Sequence, residues 1–193
     1  AAVSYYPSYI ERDAIREIDP TISVKDITAY VFDQFKETIQ EDFAKREGLL
    51  FVGGFAHPPN ADAVLWFARD IYPLIRQKME EAGAAAPDFY VVGSKVTDEI
   101  RALEQPGNGI IIKGFVSEEE LERLYAECRI VVVPLRYGAG VKGKVVEAIY
   151  NGAPIVTTSI GAEGIPQVED VLVVEDEPEQ FAQAVAELYQ NEE

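Results

Sequence analysis

The sequence predicts a doubly wound α/β domain, Rossmann-like, built on a parallel sheet of six strands. Three observations carry this. Six short runs, residues 49–52, 89–92, 110–112, 130–133, 155–156 and 171–174, are apolar throughout and do not alternate with polar positions. Strands of that kind are buried on both faces, as a parallel sheet requires. Amphipathic helical patterns lie between most of them, over residues 60–81, 96–103, 117–128, 143–151 and finally 178–190. Local punctuation agrees with these limits. Ser117 with Glu120 three residues on reads as a capping box, and Gly152 followed by Pro154 reads as a helix stop. Strands alternating with helices in this way imply right-handed crossovers.

Two of the strands end on a clear boundary signal. The first ends at Gly53-Gly54 and the fourth at Pro134. Residues 1–47 are of a different kind. Tyr5, Tyr6 and Tyr9 precede a short helical pattern carried by Ile10, Ala14, Ile15 and Ile18, which stops at Pro20. A brief strand is expected near residues 24–27 and a second helix over 31–46. The chain therefore divides into residues 1–47 and a main domain, residues 48–193.

The 193 residues are enough to bury a core of one domain plus a short extra segment. Thirty-four acidic side chains against 17 basic ones leave a net charge of −17, which repels nucleic-acid phosphates and anionic membranes. No run approaches the roughly 18 apolar residues of a membrane span, and nothing at the start reads as a signal peptide. The chain lacks an initiator Met, so a piece of a longer protein is expected. Cys128 is the single cysteine. It has no partner for an internal disulfide and is read as a small buried hydrophobe. The expected compartment is the cytoplasm.

Ligands of an open parallel sheet bind beyond the carboxyl ends of its strands. After the first strand, Gly53 and Gly54 allow close approach, and a helix follows near Asn60. The stretch reads either as an anion site or as a tight turn with an Asn cap. His57, the only histidine, is a candidate or a structural hydrogen-bonder. The dinucleotide fingerprint G-x-G-x-x-G and the P-loop are absent there. No Cys or His cluster suits a metal, so no metal and no cofactor are expected.

The richest stretch follows the fourth strand. Gly138, Gly140 and Gly143 form a loop before a helix, and from Cys128 to Val146 the chain carries Arg129, Arg136, Lys142 and Lys144 with no acid. Basic side chains and free backbone N–H groups suit a diphosphate. Glu147 stands about one turn into the helix, where a carboxylate can accept two ribose hydroxyls. Its alternative is structural: to offset the helix dipole or to pair with a Lys.

In this order the motifs resemble the C-terminal domain of the group 1 (family 4) glycosyltransferases, which have a GT-B architecture of two Rossmann-like halves. The resemblance rests on Phe51-Val52-Gly53-Gly54-Phe55, on Lys113-Gly114-Phe115-Val116, and on Gly138 to Lys144. It rests most on Glu147-Ala148-Ile149-Tyr150-Asn151-Gly152-Ala153-Pro154-Ile155-Val156, with Gly161-Ala162-Glu163-Gly164 beyond. It covers roughly residues 48–190. It implies that Glu147 is the second Glu of the family's Glu-x7-Glu motif and grips the ribose, and that Val116 meets the nucleobase through its backbone. The first Glu falls at Ala139 and is absent. The Arg and Lys usual after the first strand are replaced by His57, Pro58, Pro59 and Asn60, which passes the diphosphate to Lys142 or Lys144. Residues 1–47 would be the remnant of an N-terminal acceptor domain and the crossover from it. The implied activity is retaining transfer from a nucleoside-diphosphate sugar, a bacterial-type hexosyltransferase reaction. The fragment itself is expected to be inactive. The rival readings are a nucleotide-sugar epimerase of similar shape and a non-catalytic nucleotide-binding module.

Overall fold

The computed structural model describes residues 2–27, 30, 32 and 44–191. The helix expected over residues 31–46 falls almost wholly outside them.

A small unit comes first. Strand β1 (Ser4–Tyr6) is followed by helix α1 (Tyr9–Ile18) and strand β2 (Val24–Asp26), and the two strands pair in parallel with Ser4 opposite Val24. Nothing in the sequence signals β1, because three residues of Ser and Tyr carry no apolar run. Ser8 caps α1 by accepting from the Glu11 N–H, as expected of a short polar residue at that position. Helix α1 buries no residue, and Tyr5, Tyr9, Ile18, Ile22 and Ile27 are all exposed, Ile18 to 85%.

The main domain holds β3 (Leu49–Val52), β4 (Phe89–Val92), β5 (Ile110–Gly114), β6 (Ile130–Val133), β7 (Ile155–Thr157) and β8 (Val173–Val174). They form one sheet in the order β5-β4-β3-β6-β7-β8, with every neighbouring pair parallel. The order runs outward in both directions from β3 and β6, so the topological switch point lies between those two strands. The last strand is shorter than expected. Residues 168–171 turn as a helix instead, α8, and leave only Val173 and Val174 in the sheet.

The long helical pattern over residues 60–81 is one rod with a defect. Helix α2 (Pro58–Trp66) passes through a π-helical turn (Phe67–Ile71) into α3 (Tyr72–Glu81). Pro73 has no N–H to give to the turn before it. The wider loop, in which the Tyr72 N–H reaches the Phe67 carbonyl, absorbs the break. The rod starts two residues earlier than expected, because Pro58 and Pro59 suit the first helical positions. The pattern at 96–103 shortens to α4 (Asp98–Arg101), capped by Thr97.

Helices α5 (Glu118–Glu127), α6 (Gly143–Tyr150), α7 (Ser159–Ala162) and α9 (Pro178–Gln190) complete the domain. Ser117 accepts from the Glu120 N–H, but the Glu120 carboxylate turns to Arg123 and Lys113, so only half of the capping box forms. The core is aromatic at its centre. Phe51, Phe67, Phe89 and Phe181 are fully buried, and the Phe67 and Phe89 rings lie 4.5 Å apart. Cys128 is buried beside β6, as expected of it, and burial pushes its thiol up to about 12.

Candidate functional site

The switch point brings together the two stretches singled out from sequence, although more than 80 residues separate them. Gly53-Gly54 leave β3 beside the loop that leaves β6, and Lys144 joins the two. Its ammonium donates to Asn60 Oδ1, while Asn60 Nδ2 donates to the Gly54 carbonyl at 2.8 Å. The Asn60 side chain is therefore a buried bridge inside the first turn of α2 and not the helix cap. The cap position belongs to His57, which is exposed and makes no capping hydrogen bond with its side chain.

Gly53 is needed here for space. A Cβ at that position would stand 2.7 Å from the Lys144 ammonium and 2.9 Å from Asn60 Cγ. Behind it, a Cβ on Gly93 at the end of β4 would stand 1.8 Å from the Gly53 carbonyl oxygen, so the two strand ends approach backbone to backbone. Gly54 has Ser94 Oγ at 3.4 Å from the corresponding point.

Lys144 lies 4.4 Å from the centre of the Phe51 ring. Burial pushes its pKa down to about 7; Glu147 opposes the shift and Lys142 adds to it. The ring face and the Asn60 oxygen both favour the charged form, against the effect of burial. Glu147 is half-buried one turn further along α6. Burial raises its pKa, against the pull of Tyr125 and Lys144. The Tyr125 hydroxyl, buried on α5, lies toward Glu147 without reaching hydrogen-bond geometry.

The glycine loop takes the backbone shape its composition suggests. Gly138 and Gly140 have φ of +126° and +77°, conformations that L side chains rarely adopt. Gly143 opens α6, with Lys142 at the cap position. Lys142 does not point to solvent: its side chain is 10% exposed, pairs with Glu163 at 3.0 Å and also donates to the Gly140 carbonyl. Arg136 is committed elsewhere. It forms a two-point pair with Asp62 and lies over the Trp66 ring at 5.3 Å. Val116 is half-buried after β5, and the preceding Phe115 is 82% exposed.

Sequence reasoning missed Tyr125, Phe51, Asp62 and the contributions of Ser8, Glu11 and Tyr30. Glu11 and Tyr30 lie against the loop, with Tyr30 Oη 2.8 Å from where a Gly143 Cβ would be, and Ser8 lies against Gly164. The spacing Ser8-x-x-Glu11 signals a helix start, but nothing in it says which loop the helix start will face. Among the described residues, no three His, Cys, Asp or Glu side chains are placed to hold a metal ion, and no helix is long and apolar enough to cross a membrane.

The parallel order, with a cationic glycine loop and a carboxylate at the switch point, defines the class: this is the fold of the C-terminal domain of GT-B glycosyltransferases. The solved structures it resembles say the same. Sucrose-phosphate synthase from Thermosynechococcus elongatus superposes with a TM-score of 0.68 at 16% identity, over 100% of this chain and 50% of that one. The HepE protein of Anabaena, in complex with UDP and glucose, gives 0.66 at 16% identity over 99% and 54%. The pneumococcal O-GlcNAc transferase GtfA, in complex with UDP and GlcNAc, gives 0.66 at 17% identity over 97% and 38%. At these identities the likeness is one of fold. The family follows from the sequence itself. Residues 46–191 match the model of the glycosyl transferases group 1, and the chain belongs to that family. An uncharacterized 44.6 kDa protein of the cps region of Klebsiella pneumoniae is 31% identical over 123 residues, 60% of this chain and 30% of that protein. The chain thus spans less than a third of that relative and about half or less of these solved neighbours.

Proposed function

We propose that this chain is the donor-binding half of a retaining glycosyltransferase and holds a nucleoside-diphosphate sugar at the switch point. One observation carries the reading: Lys144 and Glu147 stand one turn apart at the start of α6, beside a strand end where Gly53 leaves room for the Lys144 ammonium. A diphosphate at the N-terminus of α6 meets free N–H groups, the helix dipole and the Lys144 ammonium. Its ribose then lies beside Glu147, whose carboxylate accepts two hydroxyls. Lys142 holds the loop in shape through Glu163 and supports the phosphates second to Lys144. Gly138 and Gly140 present backbone to the leaving group, and Val116 presents backbone to the base. His57 is exposed at the cleft edge, and Arg136 serves the α2 surface.

The chemistry asked of these residues is positioning and stabilisation of charge on the departing diphosphate, which calls for no metal or cofactor. The acceptor and the second wall of the cleft belong to an N-terminal domain. The unit β1–α1–β2 is its edge, which accounts for the exposed apolar side chains of residues 5–27. Two of the structural neighbours above were solved with UDP, which makes a uridine nucleotide the first donor to try. Calorimetric titration of the chain with UDP, GDP and the free nucleosides tests the reading. Binding of a diphosphate with no detectable binding to Lys144→Ala, Glu147→Ala together is the expected result. Absence of any nucleotide binding by the parent chain would overturn it.

A further inference from the structure

The loop that faces the donor carries cations and backbone N–H groups but no acid: between residues 128 and 146 there is not one Asp or Glu, and Ala139 stands beside its apex. Such a loop suits phosphate and leaves a sugar poorly served, because hydroxyls bind best to acceptors. The acceptor nearest the apex comes from outside the domain. The Glu11 carboxylate lies over Gly140, with Oε1 3.4 Å from where a Cβ would stand and Oε2 at 3.8 Å. Ser8, at the same helix start, lies 3.2 Å from the corresponding point on Gly164. The helix start is thus seated on Gly140 of the loop and on Gly164, which follows α7.

Glu11 is partly buried. Its one side-chain partner among the described residues is Ser8 Oγ, at 3.1 Å, and it pairs with no cation. A carboxylate has about four acceptor sites, so most of its capacity is not taken up by this contact. Glu163, the other carboxylate of this region, is occupied by Lys142.

We propose that Glu11 binds hydroxyls of the transferred sugar and so sets which donor sugar is accepted. The inference rests on the donor reading above. In a nucleoside-diphosphate sugar the diphosphate separates ribose from sugar. With the ribose at Glu147 and the phosphates at Lys144, the sugar extends along the loop toward Gly140 and meets Glu11. The opposing reading is that Glu11 only completes the cap of α1 with Ser8.

The test is calorimetric titration of the parent chain, Glu11→Ala and Glu11→Gln, each with UDP, UDP-glucose, GDP and GDP-mannose, beside a thermal melt of each variant. With whichever base binds, both variants should hold the bare diphosphate within twofold of the parent. They should bind the sugar-bearing nucleotide about 10- to 100-fold more weakly, the range of a lost charge-assisted hydrogen bond. Glu11→Gln keeps a partner for Ser8 and serves if the Ala variant melts early. Equal losses for diphosphate and sugar nucleotide, or none for either, would reduce Glu11 to a helix cap while leaving the donor reading intact. If the parent binds no nucleotide at all, the donor reading fails and this inference with it.

Discussion

Lys144 of α6 rests on the face of Phe51 in β3, its ammonium 4.4 Å from the ring centre. The contact ties the helix that follows β6 to the carboxyl end of β3 and places a partly desolvated cation where the crossover direction reverses.

A first prediction concerns pH. The Lys144 pKa falls to about 7 in the folded chain through burial, against about 10.4 for a free lysine. Between those values the unfolded chain binds the extra proton, so this group makes stability rise with pH from about 7 to about 10. Below about 7 both states are charged and the folded one carries the full cost of burial. A bound diphosphate reverses the balance by favouring the charged amine, so its affinity should fall above pH 7, by up to about tenfold per unit. Titrations from pH 6 to 9 should show that slope in the parent chain and not in Lys144→Met.

Glu147→Ala should weaken nucleotide binding by about 1–3 kcal/mol, with similar loss for the nucleoside and its diphosphate, because the lost partner is a hydroxyl pair. An unchanged affinity in a folded variant would leave Glu147 a structural role only. Burial raises the pKa of this carboxyl, so from the ordinary Glu value up to the raised one the folded state holds more protons. Its contribution to stability is therefore lost as pH rises through that window, and Glu147→Gln should remove this dependence from the melting curve.

The two glycines at the strand ends should separate stability from binding. Gly93→Ala drives a Cβ to 1.8 Å of a backbone oxygen that cannot move without shifting β3. It should cost about 3 kcal/mol or more, at the top of the overpacking range. Gly53→Ala meets side-chain ends instead, the Lys144 ammonium and the Asn60 amide, which can shift without moving backbone. That variant should cost less stability than Gly93→Ala and lose diphosphate affinity. A reversal of this order in paired melts and titrations would contradict the geometry.

The basic residues of the loop should not behave alike. Lys144→Ala should weaken diphosphate binding by about 1–2 kcal/mol and barely touch the nucleoside, with the loss shrinking as salt rises. Lys142→Ala should show a smaller loss, matched by Glu163→Ala, because its charge is already paired. Arg136→Ala should change affinity less than about twofold, since its guanidinium is held by Asp62 and Trp66. Equal losses across all three would mean that net charge alone attracts the ligand.

Much of this protein is legible in its sequence for local reasons. A strand buried on both faces must be apolar at every position, so 49–52, 89–92 and 130–133 declare themselves. Gly138 and Gly140 are glycine because the backbone there has positive φ, and Glu147 stands out because its helix follows a loop of cations. The rest depends on neighbours distant in sequence. Arg136 and Lys144 read alike on the page, yet α2 brings Asp62 to one and Asn60 to the other. Lys144 is shifted by burial, and the ring it rests on, Phe51, is 93 positions away. Glu11 is an ordinary residue at a helix start until the fold lays it on Gly140. Chain-local preferences determined the strands, the loop and the candidate charges. Which charges are neutralised by a partner and which stay turned toward the cleft was decided only by packing, because ion pairing and desolvation depend on distances in space.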